Sequence, residues 1–311
     1  MLQIKIKTIK DSELKELEKP VAGCWIDAVK PNKEERKFLR EEIGIPTDFI
    51  LSSLDEDERP RIEKELDKIL IIIRVPCKRK KNGEVEVATV PLGIIITRKY
   101  FVTISLLATE VLQDFHEEKV NFYTTQKTRF LLQILKRTNR YYARYLDEIE
   151  KRIREIEASV FRSLKNEEII QLLRFQKTLI YFNGSIIANE KVFEKIAGGK
   201  VITLFKQDEE LLEDIVIDNR ELMENVRIFS EILSNTLDAY ASIVSNNMNI
   251  VMKFLTSFTI ILSIPTIVSS IYGMNIALPF QQHPQAFLIV MAITLAIVVG
   301  FVILFWKKDW F

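Results

Sequence analysis

The sequence predicts an α/β (α+β) domain at the N-terminal end, long helices after it, and two membrane-crossing helices at the C-terminal end. Three observations carry this. Residues 254–306 contain no Asp, Glu, Lys or Arg, and a polar break, Tyr272-Gly273-Met274-Asn275, divides that stretch in two. The hydrophobic period changes once, near residue 107, from short strand-like runs to helical spacing. The 311 residues hold 44 basic and 43 acidic side chains, nearly all before residue 254, so a balanced, water-facing portion precedes the apolar one.

Residues 2–9, 22–29, 69–75, 85–90 and 94–105 read as strands, the last broken around Arg98. Lys81-Asn82-Gly83-Glu84 reads as the tight turn of a hairpin, because Asn-Gly tolerates positive φ. Two helices are expected between the strands, over residues 33–43 and 61–67, each beside a proline that fixes its start. These elements make up a domain over residues 1–106.

Residues 107–199 are expected to form a long-helix hairpin, with helices over 124–163 and 166–197 and a stop at Gly198-Gly199. No Gly or Pro occurs from residue 200 to residue 264, and apolar residues recur at helical spacing from Leu211 to Phe254. A single helix of about 60 residues, about 90 Å at 1.5 Å per residue, is expected. Residues 200–253 would be its water-facing part. With one apolar stripe, such a rod should pack against the preceding helices and against copies of itself.

The last portion, 254–311, is read as a transmembrane hairpin. Its spans are 254–272 and 287–306, which are 19 and 20 residues long, against about 20 needed to cross about 30 Å of hydrocarbon. The loop 273–286 contains Pro279 and Pro284, which suit a short turn. Lys253 precedes the first span and Lys307 and Lys308 follow the second, so both termini should be cytoplasmic in the plasma membrane. Residues 1–10 alternate apolar and basic and lack the apolar core of a secretory leader, so insertion is expected to rest on the hairpin, with lipid as its surroundings.

Several function classes are disfavoured. A net charge of +1 argues against nucleic acid as partner. No glycine-rich loop ending in Lys-Ser/Thr is present, so no nucleotide is called for. Cys24 and Cys77 are isolated and read as buried free thiols, not zinc ligands or a disulfide. With two His and no recognisable nucleophile and base pairing, an enzyme is not expected.

Tyr272-Gly273-Met274-Asn275, preceded by Met248-Asn249, Val251-Met252-Lys253, Leu255-Thr256 and Pro265-Thr266, strongly resembles the CorA family of divalent-cation transporters. Trp25-Ile26-Asp27, Arg59-Pro60-Arg61 and the basic tail also look like that family, so the likeness runs along essentially the whole chain. The resemblance implies a funnel-shaped homopentamer with one pore lined by the first span. Its cargo would be magnesium, with cobalt and nickel as companions. Asn275 would form a ring of amides at the outer mouth, with the Gly273 carbonyl close by and Tyr272 and Met274 holding the loop. Asn249, Met252, Leu255 and Thr266 match the family's pore-lining positions, Met252 and Leu255 forming an apolar gate. Asp214 matches a cytosolic magnesium-sensing carboxylate, and Asp55 and Asp57 are the candidate partners from a neighbouring subunit.

Plainer roles stand beside these. Asn275 could cap the first span, Thr266 could satisfy carbonyls freed by Pro265, and Asp55-Glu56-Asp57 could be a solvated turn. Many family members carry an acid shortly after Gly-Met-Asn, whereas here the loop offers Gln281, Gln282 and His283, which weakens electrostatic focusing. A zinc or proton-coupled transporter is the runner-up within the class. Outside it stands a membrane-anchored scaffold or sensor without ion flux, which the amides at Asn249 and Asn275 disfavour.

Overall fold

The computed structural model describes every residue except 82, 83, 161–165, 200, 277, 280–282 and 311. Up to residue 105 the elements are β1 (Leu2–Ile6), β2 (Lys15–Glu16), β3 (Trp25–Val29), α1 (Lys33–Glu41), α2 (Thr47–Ser53), β4 (Arg61–Glu65), β5 (Lys68–Lys81), β6 (Glu84–Ile96) and β7 (Phe101–Ser105). The strands join one mixed sheet in the order β2-β1-β3-β7-β6-β5-β4. The β3–β7 pair is parallel and its neighbours are antiparallel.

Side-chain alternation gives the sheet two buried faces. On one, Ile26, Ala28, Leu70, Ile72, Val102 and Ile104 pack with Leu39, Phe49 and Ile50 of α1 and α2. On the other, Trp25 and Phe101 meet Phe130 at ring separations of 5.2 and 4.5 Å, and Phe115 and Phe122 complete an aromatic cluster. A polar chain runs through this second face. Trp25 Nε1 donates to Thr103 Oγ1 at 2.8 Å, Thr103 Oγ1 donates to Asp27 Oδ1 at 2.7 Å, and His116 Nε2 lies 2.7 Å from Asp27 Oδ2. Lys5 Nζ can only donate, so His116 Nδ1, 3.0 Å away, is the acceptor of that bond. The Trp25-Ile26-Asp27 segment is thus a buried structural network.

The helix predicted over 61–67 is a correction: residues 61–65 form β4, pairing Arg61–Glu65 with Lys68–Ile72. A two-residue turn with Leu66 at φ +54 closes this hairpin, and its charged residues suit a sheet edge. The short α2, absent from the sequence reading, has no side-chain cap and is held by burying Phe49, Ile50 and Ser53. The runs broken at Pro76 and Pro91 are continuous strands. Proline is tolerated because β4 pairing ends at Ile72 and β7 pairing starts at Leu92, so each strand has one neighbour at its proline. Asn82 and Gly83 of the expected turn lie outside the described residues, between strands paired as Lys81↔Glu84.

The helices that follow are α3 (Glu110–His116), α4 (Lys127–Val160), α5 (Asn166–Ala197), α6 (Lys206–Tyr272) and α7 (Ala286–Lys307). The expected end of the first long helix near Ser163 lies outside the described residues, while α5 has the predicted bounds. The chain divides into two compact units, Met1–Ser234 and Asn235–Phe311, so α6 belongs to both. In the first, Asn139 Nδ2 of α4 donates to the Ile215 carbonyl at 2.9 Å, and Arg220 pairs with Glu190 and Glu194 of α5 at 2.8 and 3.1 Å. The start of α6 therefore packs on the preceding helices, as its single apolar stripe requires. In the second, Phe305 is buried and stacks on Trp310 at 5.3 Å.

Candidate functional site

In the apolar parts of α6 and α7, five side-chain hydroxyls turn back on their own helix. Ser257, Thr259, Ser263 and Thr266 donate to the carbonyls of Lys253, Leu255, Thr259 and Leu262 at 2.7, 2.8, 2.8 and 3.1 Å, and Thr294 does so to Val290 at 2.8 Å. An uncharged helix can thereby carry oxygens through hydrocarbon without an unsatisfied donor. Thr266 serves the Leu262 carbonyl, not the Ile261 carbonyl that Pro265 leaves without its usual donor.

At 100° per residue, Asn249, Met252, Leu255 and Thr266 fall within an arc of about 120° on α6. All four are exposed in the single chain. Exposure alone does not select them, because only 6% of the most apolar window of α6 is buried. The same arc also holds Thr259 and Ser263, which the sequence reading left out. Their recurrence with Thr266 at steps of four and three was the signal for one oxygen-bearing face.

The Gly-Met-Asn segment follows directly on the helix end. The Gly273 N–H still donates to the Ser269 carbonyl at 2.9 Å and the Met274 N–H to the Ile271 carbonyl at 3.2 Å, a tightening last turn. A Cβ on Gly273 would stand 3.3 Å from the Ser269 oxygen, so glycine lets the chain leave the helix here without crowding that carbonyl. Tyr272 Oη donates to the Pro279 carbonyl at 3.2 Å and ties the helix end to the loop. Asn275 is exposed, and among the described residues its side chain has no hydrogen-bond partner. The amide therefore does not cap α6. In the loop, Gln281 and Gln282 lie outside the described residues, and His283 Nδ1 accepts from the Gln285 N–H at 3.2 Å.

The carboxylates singled out for regulation lie in the first unit. Asp214 is 66% exposed with Lys136 Nζ 3.9 Å away. Asp55 Oδ1 accepts from the Asp57 N–H at 3.1 Å, the bond of a local turn. Among the described residues no group of three or more His, Cys, Asp or Glu gathers as a metal site, so one chain does not unite Asp214 with Asp55 and Asp57. Cys24 and Cys77 are buried free thiols, and burial pushes Cys77 up to about 11, so neither is a nucleophile at neutral pH.

The family profile described as "CorA-like Mg2+ transporter protein" matches residues 22–308. A relative from Methanocaldococcus jannaschii named "Cobalt/magnesium transport protein CorA" is 31% identical over 296 residues, 92% of this chain and 90% of its own. The fold is also similar to the complete structure of the CorA magnesium transporter from that organism, with a TM-score of 0.85, 29% identity, and 100% and 99% of the two chains covered. The soluble domain of the same protein aligns with 76% of this chain at a TM-score of 0.68 and 26% identity. With a profile match over nearly its whole length and a relative of that closeness, this chain belongs to the CorA family.

Proposed function

We propose that the chain is the subunit of a homopentameric channel in the plasma membrane that passes Mg2+, and also Co2+ and Ni2+, driven by the membrane potential. The observation that carries this reading is Asn275, an amide without a hydrogen-bond partner among the described residues, three residues beyond an α6 whose last 19 residues carry no charge. Five such amides, with the Gly273 carbonyls, would accept hydrogen bonds from the waters of a hydrated cation. Mg2+ suits this because it holds about six oxygens near 2.1 Å and releases water reluctantly. Neutral acceptors avoid the deep Coulomb well that a carboxylate ring would create, so the ion can leave again. The relative's name as a cobalt/magnesium transport protein supports this cargo.

Behind the mouth, the oxygens on the arc of Thr266 would line the pore, Leu255 and Met252 would close it by excluding water, and Asn249 would mark its cytosolic end. Lys253, Lys307 and Lys308, flanking the two spans on one side, support a cytoplasmic side for both termini. Inward passage of a divalent ion gains about 4.6 kcal/mol per 100 mV, twice the value for a unit charge. Asp214, completed by Asp55 or Asp57 of a neighbouring subunit and by water, would bind cytosolic Mg2+ and hold the pore shut.

Vesicles holding the protein and a Mg2+-sensitive dye, given an inside-negative potential, test the conduction reading. Uptake is expected in the parent, with a severalfold loss or change of ion preference in Asn275→Ala. Equal uptake and preference in both, or no uptake by a parent shown to be pentameric, overturns it. Asp214→Lys should reduce inhibition by internal Mg2+, and unchanged inhibition removes Asp214 from the regulatory role.

A further inference from the structure

In the first unit, α4 and the start of α6 run side by side as two walls of opposite charge. Arg129 pairs with Asp208 at 3.5 Å, and Lys136 stands 3.9 Å from Asp214. One step further the walls no longer meet. Arg140 on α4, and Asp218 and Glu221 on α6, form no ion pair among the described residues, yet all three line one groove of about 650 Å³. That volume falls within the range of small-molecule sites, about 300–1,000 Å³. Two polar atoms of its lining residues are buried without a well-directed partner among the described residues. The buried Asn139 Oδ1 has no hydrogen-bond partner among the described residues, and Arg137 Nε lies 2.9 Å from Asp114 Oδ2 with its N–H not aimed at that oxygen.

A simple anion would face Asp218 and Glu221, and a bare cation would face Lys136 and Arg140. A ligand carrying both signs meets neither repulsion. Mg2+ is commonly held by one or two carboxylates together with phosphate oxygens, keeping several of its waters. Two carboxylates three residues apart on α6, opposite two cations four residues apart on α4, supply that arrangement. We propose that this groove binds a magnesium-chelated oligophosphate, with the phosphates toward Lys136 and Arg140 and the hydrated metal toward Asp218 and Glu221. The site is separate from the membrane segment and does not depend on whether ions cross it.

The test is calorimetry on the full-length protein in detergent, freed of divalent ions. It uses MgCl2, sodium tripolyphosphate, their equimolar complex, and magnesium–nucleoside triphosphate. The complex is expected to bind at least about tenfold more tightly than tripolyphosphate alone. Arg140→Ala should weaken both tripolyphosphate forms, whereas the double variant Asp218→Asn/Glu221→Gln should weaken only the complex and erase its advantage. Tighter binding of the nucleoside form identifies a nucleotide, and equal binding identifies the oligophosphate alone; both support the site. Three results overturn it: no binding of the complex at millimolar concentration, binding unchanged in both variants, or loss of the oligomer on Arg140→Ala without a change in affinity, which would make the groove an interface between copies. Circular dichroism of these exposed-site variants checks that the fold is intact.

Discussion

Replacing Gly93 by alanine should loosen the contact that seats α2 on the sheet. A Cβ at this position would lie 1.9 Å from Ser53 Oγ, 2.5 Å from Ser53 Cβ and 3.4 Å from Ser53 Cα. Rotating Ser53 would move its hydroxyl away, at the loss of the 2.7 Å bond to the Phe49 carbonyl. Its Cβ, however, moves only with the helix. Carbon atoms pack at about 3.5–4.0 Å, so α2 must retreat by about 1 Å and partly withdraw the buried Phe49 and Ile50. Overpacking of this kind costs about 1–3 kcal/mol, and the upper end is expected because both partners are fixed to backbone. For a unit of this size that lowers the melting temperature by roughly 6–12 °C. Adding Ser53→Gly removes the obstructing atoms and should restore most of the loss, less about 1 kcal/mol for a glycine in a helix. Thermal unfolding of the four proteins of this cycle measures the coupling. A Gly93→Ala melting point within about 2 °C of the parent, or no rescue by Ser53→Gly, would refute the steric account.

Two further outcomes follow from the buried polar groups. Thr103→Val leaves Trp25 Nε1 without an acceptor and the buried Asp27 without one of its donors, which should destabilise the fold by about 2–4 kcal/mol, while Thr103→Ser should retain most of the stability. Equal unfolding free energies for the valine and serine variants would count against the network. Glu118 is held below its ordinary value of 4.5 by Lys7, 2.7 Å away, and by the Leu14 N–H. A depressed carboxylate adds stability that is present above its unfolded value and lost as pH falls through the folded one. Glu118→Gln should therefore be less stable than the parent at pH 7 and flatten the fall in melting temperature below pH 5, and an unaltered acid limb would show that Glu118 does not contribute.

The parts of the fold visible in the sequence were those set by local pattern. The bounds of α5 coincide with a helical run stopped by a glycine pair, and α7 with an uninterrupted apolar run between polar flanks. Elements set by their partners and not by their own pattern were hidden. Residues 61–65 carry the charge density of an exposed helix, and only their pairing with Lys68–Ile72 makes them a strand. Residues 47–53 have no cap and too few residues to hold a helix alone. Their helicity rests on burial against a sheet that comes close at Gly93, a contact made across 40 residues of chain.

The candidate site shows the same division at a higher level of organisation. The break at Gly273, the missing charges and the flanking lysines are local and readable. The hydroxyl face is readable once the helical period is applied through Pro265, because α6 continues past that proline to Tyr272. Asn275 is different, because its amide has no hydrogen-bond partner among the described residues and does not cap α6. A polar side chain left open at the end of an apolar span is more costly to keep there than an apolar one, unless something outside the chain accepts or donates to it. In a single subunit that partner is solvent. In a ring of copies it would be the water shell of a cation, which makes Asn275 the position where loss of function should separate most cleanly from loss of stability.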